Sequence, residues 1–98
     1  MPLRALVINC TLKPSPATSN TEALARVVMD ALEERGATAE IVRAVDHDIR
    51  PGVSADEGPG DAWPAIRERV MAADILVIAT PTWLGQPSSV CRRVMERM

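Results

Sequence analysis

Three short apolar runs alternate with stretches whose apolar residues recur at helical spacing, and this alternation constrains the fold more than any other feature. The runs are Leu3 to Ile8 (LRALVI), Ala39 to Val45 (AEIVRAV) and Asp74 to Ala79 (DILVIA). The first and third are almost unbroken, as strands buried on both faces are. The second is more polar. Between the first two, Leu24, Val27, Val28, Ala31 and Leu32 predict one buried stripe on a helix. Ser19 with Glu22 three residues later has the capping-box pattern at its start, and Gly36 sits where a C′ glycine belongs. Trp63, Ile66, Val70 and Ala73 predict the buried face of a second helix, with Asp61 as its cap and Pro64 in its first turn. Ser88 or Ser89 caps a third, with Val90, Val94 and Met98 as its stripe and Cys91 and Met95 beside it. The order β-α-β-α-β-α implies an α/β fold, with a parallel sheet, right-handed crossovers and helices on both faces.

Composition narrows the function classes. The 98 residues make one domain, and with two Trp, no Phe and no Tyr the core must be aliphatic. Net charge is −2, and the basic residues form no run or stripe, which speaks against a nucleic-acid footprint or a membrane-surface helix. No apolar stretch approaches the roughly 20 residues that span a bilayer. Met1 to Ile8 is too short for a signal peptide. Cys10 and Cys91 have neither a metal-ligand spacing nor the numbers of a disulfide framework, so a reducing cytoplasm is the expected compartment. His47 reads as a solvated surface residue. Asp46, Asp48, Asp56, Glu57 and Asp61 read as a solvated acidic connection, since their spacing does not match a calcium loop.

A doubly wound sheet usually has five or so strands, and three leave the very apolar third strand on an open edge. The sequence is therefore expected to be truncated after the start of the third helix, or to have that edge covered by a second chain. In strand order 2-1-3, ligands bind beyond the carboxyl ends, between strands 1 and 3, where the order reverses. Two loops leave there. Asn9 to Ser19 brings Thr11, Ser15 and Thr18 up to Ser19, Asn20 and Thr21 at a helix N-terminus, where free N–H groups and the helix dipole favour an anion. Lys13, the only lysine, lies in the same loop. A phosphate monoester suits this cradle, although GxxxxGK[ST] and GxGxxG are both absent. Ser19 also reads simply as a cap, and Ser15 as a turn residue. The other loop, Thr80 to Pro87, has Pro81 at the strand end, Gly85 for a tight approach, and Trp83. That Trp reads either as a platform for a flat heteroaromatic ring or as a hydrophobic plug.

Together, NCTLKPSPATSNTEAL with its Ser19-Asn20-Thr21 and PTWLGQPSS with its Pro-x-Trp, Gly and Pro resemble the flavodoxin-like NAD(P)H-dependent FMN reductase family. Asn9-Cys10-Thr11 stands where that family usually has Gly-Ser, and Lys13 where Arg is common. The resemblance implies a flavodoxin-like three-layer α/β/α domain over residues 1–98, with strands 2-1-3 present and the C-terminal strands missing. It implies FMN, with Thr11, Lys13, Ser19, Asn20 and Thr21 holding the phosphate. Pro81, Thr82, Trp83, Leu84 and Gly85 would line the ribityl chain and isoalloxazine. NADH or NADPH would be the reductant, a quinone, another flavin or a similar small molecule the acceptor, and a homodimer the assembly. Such chemistry belongs to the cofactor and requires no side-chain nucleophile or base. A phosphatase would need Arg six residues after Cys10, where Pro16 stands. A phospho-receiver would need an Asp at the end of the third strand, which ends Ala79-Thr80-Pro81. A non-enzymatic flavodoxin carrier tends to be strongly acidic, unlike this chain. The other alternative is an inactive fragment of a flavoprotein.

Overall fold

The central strand, β1 (Arg4–Asn9), is the run that can be buried on both faces, and a computed structural model, which describes residues 2–98, buries it from Ala5 to Asn9. β2 (Thr38–Arg43) and β3 (Ile75–Ala79) flank it, both parallel to it, in the order β2-β1-β3. Leu6 stands opposite Glu40 on one side and Leu76 on the other. Alternation along β1 sends Leu6 and Ile8 into one core and Val7 into another. Helices α2 (Trp63–Ala72) and α3 (Ser89–Arg97) fill the first with Trp63, Ile66, Cys91 and Val94. Helix α1 (Asn20–Glu34) fills the second with Ala25 and Met29. The result is the expected flavodoxin-like α/β/α layering with strand order 2-1-3.

The helix faces depart from the sequence expectation at both ends. On α1 the buried line is Ala25 and Met29, whereas Leu24, Val27 and Val28 of the predicted stripe are exposed, Leu24 by 68%. The apolar arc of α1 is wider than the face that three strands offer, so only the half resting on Val7, Ile41 and Val77 is covered. β3 shows the same shortage of cover. It pairs only with β1 among the described residues, and Leu76 is 38% exposed. On α3 the predicted Met98 is exposed, while Arg97 is buried in its place because Asp61 waits for it across the fold.

The termini of the helices follow local rules. Ser19 caps α1 by accepting from the Glu22 N–H, and Gly36 has φ +89°, which a side chain would strain. Ser88 is the cap of α3, accepting from the Cys91 N–H. Asp61 is one residue too early to be the cap of α2, a position that Ala62 holds without a side-chain bond. Nor is Asp61 solvated, as the reading of the acidic segment expected: its side chain is fully buried. β2 ends earlier than its apolar pattern, and Ala44–Asp46 form a single 3-10 turn. No helix of the described residues is long and apolar enough to cross a membrane.

Candidate functional site

β1 and β3 are still paired where their loops depart, for the Cys10 N–H donates to the Ala79 carbonyl at 2.7 Å. Just beyond, Ser88 bolts the two loops together. Its hydroxyl donates to the Cys10 carbonyl at 2.8 Å and accepts from the Cys91 N–H, while its own N–H donates to the Thr80 hydroxyl. These bonds hold the loops of residues 10–19 and 80–88 side by side at the carboxyl end of the sheet.

The first loop is folded from within by short polar side chains. Buried Asn9 accepts from the Thr11 N–H and its amide reaches the Ser19 hydroxyl at 3.5 Å. The Thr11 hydroxyl accepts from the Lys13 N–H. Because Ser19 is spent on Glu22, the first two N–H groups of α1, at Asn20 and Thr21, have no acceptor among the described residues. From outside, the loop is tied to the end of β2. Arg43 donates to the carbonyls of Lys13 and Ala17 and pairs with Glu22. Asp46 accepts from both the hydroxyl and the N–H of Ser15, and those two bonds hold its carboxyl below the usual carboxylate range.

The second loop is a miniature hairpin. β4 (Thr82–Trp83) pairs antiparallel with β5 (Gln86–Pro87). Leu84 and Gly85 make its two-residue turn with φ of 52° and 72°, the sign a type I′ turn requires at both positions. Trp83 is 54% exposed and Leu84 fully so. The only aromatic residue outside the core therefore stands in the hairpin beside the phosphate-type loop.

The predicted site residues thus fall on two joined loops. Thr11, Lys13 and Ser19 lie on one, with Asn20 and Thr21 opening the helix it leads into, and Pro81, Thr82, Trp83, Leu84 and Gly85 lie on the other. Sequence reasoning missed Asn9, Arg43, Asp46 and Thr80. Asn9 stands where Gly-Ser was expected, which was a signal. Arg43 and Asp46 gave none, since they act across 21 residues or more. Cys10 is no nucleophile: burial first, and the neighbouring Cys91 second, push its thiol up to about 12. His47 is exposed. A cavity of about 310 Å³ lies at the opposite end of the sheet beside Arg4 and Thr38.

Donors at a helix start and a nearby exposed indole fit a flat ligand carrying a phosphate. Comparison with known proteins agrees in kind. The model of the NADPH-dependent FMN reductase family matches residues 3–98. The chain is 36% identical over 107 residues to an 8-demethyl-8-aminoriboflavin-5′-phosphate synthase of Streptomyces davaonensis, covering 100% of this chain and 42% of that protein. It is 47% identical over 100 residues to a divalent metal cation transporter MntH of Mycobacterium bovis, covering 98% of this chain and 15% of the transporter. A crystal structure of RosB with the bound intermediate 8-demethyl-8-formylriboflavin-5′-phosphate superposes with a TM-score of 0.86 at 36% identity, over 96% of this chain and 41% of RosB. The chain spans less than half the length of each of these proteins.

Proposed function

The chain belongs to the NADPH-dependent FMN reductase family, and from that premise we propose that it forms an FMN site serving an NAD(P)H-dependent oxidoreductase. In this reading electrons pass from NADH or NADPH to a quinone, another flavin or a similar small acceptor. Bound FMN supplies the hydride- and electron-transfer chemistry. The chain's own residues bind and orient. The N–H groups of Asn20 and Thr21, the Thr11 and Thr21 hydroxyls and the Lys13 ammonium take the phosphate, with the positive end of α1 behind them. Ser19 serves by capping, which leaves those N–H groups free. Trp83 offers the ring an apolar face, and Pro81, Thr82, Leu84 and Gly85 present backbone and side chain beside it. No general base is assigned, since both thiols are buried, burial pushes that of Cys10 up, and His47 stands in solvent.

The observation that carries this reading is the pair of N–H groups at the start of α1 that have no acceptor among the described residues, beside a loop lined with hydroxyls. The test is a titration of FMN into the purified chain, followed by quenching of flavin fluorescence. Saturable binding at micromolar levels is expected, weakened about tenfold by Thr21→Ala and by Trp83→Ala. A folded, soluble chain that leaves FMN fluorescence unchanged sinks the proposal.

A further inference from the structure

We infer that Arg43, which lies outside the loops that meet the ligand, is the positioning residue that gives the β1–α1 loop its preference for a phosphate ester. This rests on the reading of that loop as the FMN phosphate site. Arg43 ends β2, and its side chain is only 8% exposed. One terminal nitrogen donates to the Lys13 carbonyl at 3.0 Å and to the Ala17 carbonyl at 2.8 Å. The other pairs with Glu22 in the first turn of α1 at 3.3 Å. A single guanidinium thus spans both shoulders of the loop and the helix it leads into.

The segment it spans needs such a strut. Pro14 and Pro16 have no N–H to donate, and the loop's only internal backbone bond runs from Ala17 to Pro14. Two fixed carbonyls also fix the peptide planes that carry them. In a trans peptide the C=O and the following N–H point in opposite directions. Holding the Ala17 carbonyl on Arg43 therefore turns the Thr18 N–H away from β2. Lys13 is held at its carbonyl while its ammonium stays free at the surface. Asp46, three residues after Arg43, grips Ser15 between the two anchored carbonyls. The Nε of Arg43 is buried without an acceptor among the described residues. A planar fork makes these bonds together, and a lysine ammonium on a flexible stem does not.

The consequence is a selectivity effect that a general loss of folding would not produce. FMN and riboflavin differ only in the phosphate, so their affinity ratio reads the loop and cancels the ring. The experiment titrates both flavins into the full chain and into Arg43→Met and Arg43→Lys, with thermal melts alongside. The wild-type chain should prefer FMN. Arg43→Met should weaken FMN about tenfold or more and riboflavin by less than about twofold. Arg43→Lys should lose the preference too, although it keeps the charge and stands in for the Met variant should that fail to melt cooperatively. Equal weakening of both flavins, unchanged FMN affinity, or full retention by Arg43→Lys overturns the assignment. A wild-type chain that binds the two flavins equally overturns it as well, while leaving the flavin site intact. If neither flavin binds the wild-type chain, the FMN reading fails first and this inference with it.

Discussion

Arg97 and Asp61 meet as a doubly hydrogen-bonded ion pair from which solvent is wholly excluded, at 2.7 and 3.0 Å. The same guanidinium donates to the carbonyls of Arg50 and Ser54 and stands 6.0 Å from the Trp63 ring centre. Asp61 in turn accepts from the N–H groups of Arg50, Glu57 and Trp63. One pair therefore pins the long connection after β2, the start of α2 and the end of α3.

Removing one partner strands the other charge away from water, which is far costlier than never having buried the pair. Asp61→Asn should lower the melting temperature by about 10 °C or more. A melt within about 2 °C of wild type would show that water reaches the pair.

The Arg97 guanidinium beside Asp61 holds its carboxyl well below the usual carboxylate range. A carboxyl depressed in the folded state contributes stability that is present above its unfolded value, about 3.9, and is lost as pH falls through the folded one. Asp46, depressed by Ser15, acts in the same direction. Thermal melts from about pH 5 to about pH 3 should therefore fall more steeply for wild type than for Asp61→Asn. Parallel slopes would contradict the assignment.

Ser88→Ala should cost about 2 kcal/mol, because it uncaps α3 and leaves the Cys10 carbonyl without that donor. Urea denaturation measures this. An unchanged midpoint would mean that the loops after β1 and β3 are not held together by this hydroxyl.

Leu84→Asn should stabilise the chain by about 0.5–1 kcal/mol. Leucine pays a steric cost at φ 52°, asparagine much less, and Asn-Gly is the preferred pair for this turn. The side chain is fully exposed, so no burial is lost. The same titration of FMN would then show whether the hairpin tip is kept as leucine for its contact with the ring: weaker binding by a more stable variant supports that, and equal binding argues against it.

Much of this was legible in the chain itself. The alternation of runs and helical stripes gave the parallel sheet, because buried parallel strands read as continuous apolar runs, and the order 2-1-3 expected of a flavodoxin-like fold is the one observed. The phosphate-type loop was legible because its hydroxyls, its cap and its helix start are neighbours in the chain. The hairpin was less so. Thr80 to Pro87 was expected as a plain loop, since Leu84 is a poor residue for a left-handed turn.

The sequence by itself determined the parallel strands and the alternating helices and the cap at Ser19, and it narrowed the cap of α3 to Ser88 or Ser89. Each of these follows from residues a turn or a strand apart. Tertiary structure alone decided the rest. It chose Ala25 and Met29 over Leu24 and Val28, because three strands cover only part of the apolar arc of α1. It buried Asp61, because Arg97 arrives from 36 residues away to neutralise it. It brought Arg43 behind the loop of Lys13 and Ala17, because parallel pairing aligns Arg43 with Asn9, where that loop begins. Long-range charge and hydrogen-bond partners have no local signature, so only the packed fold shows which polar residues of this chain are structural struts.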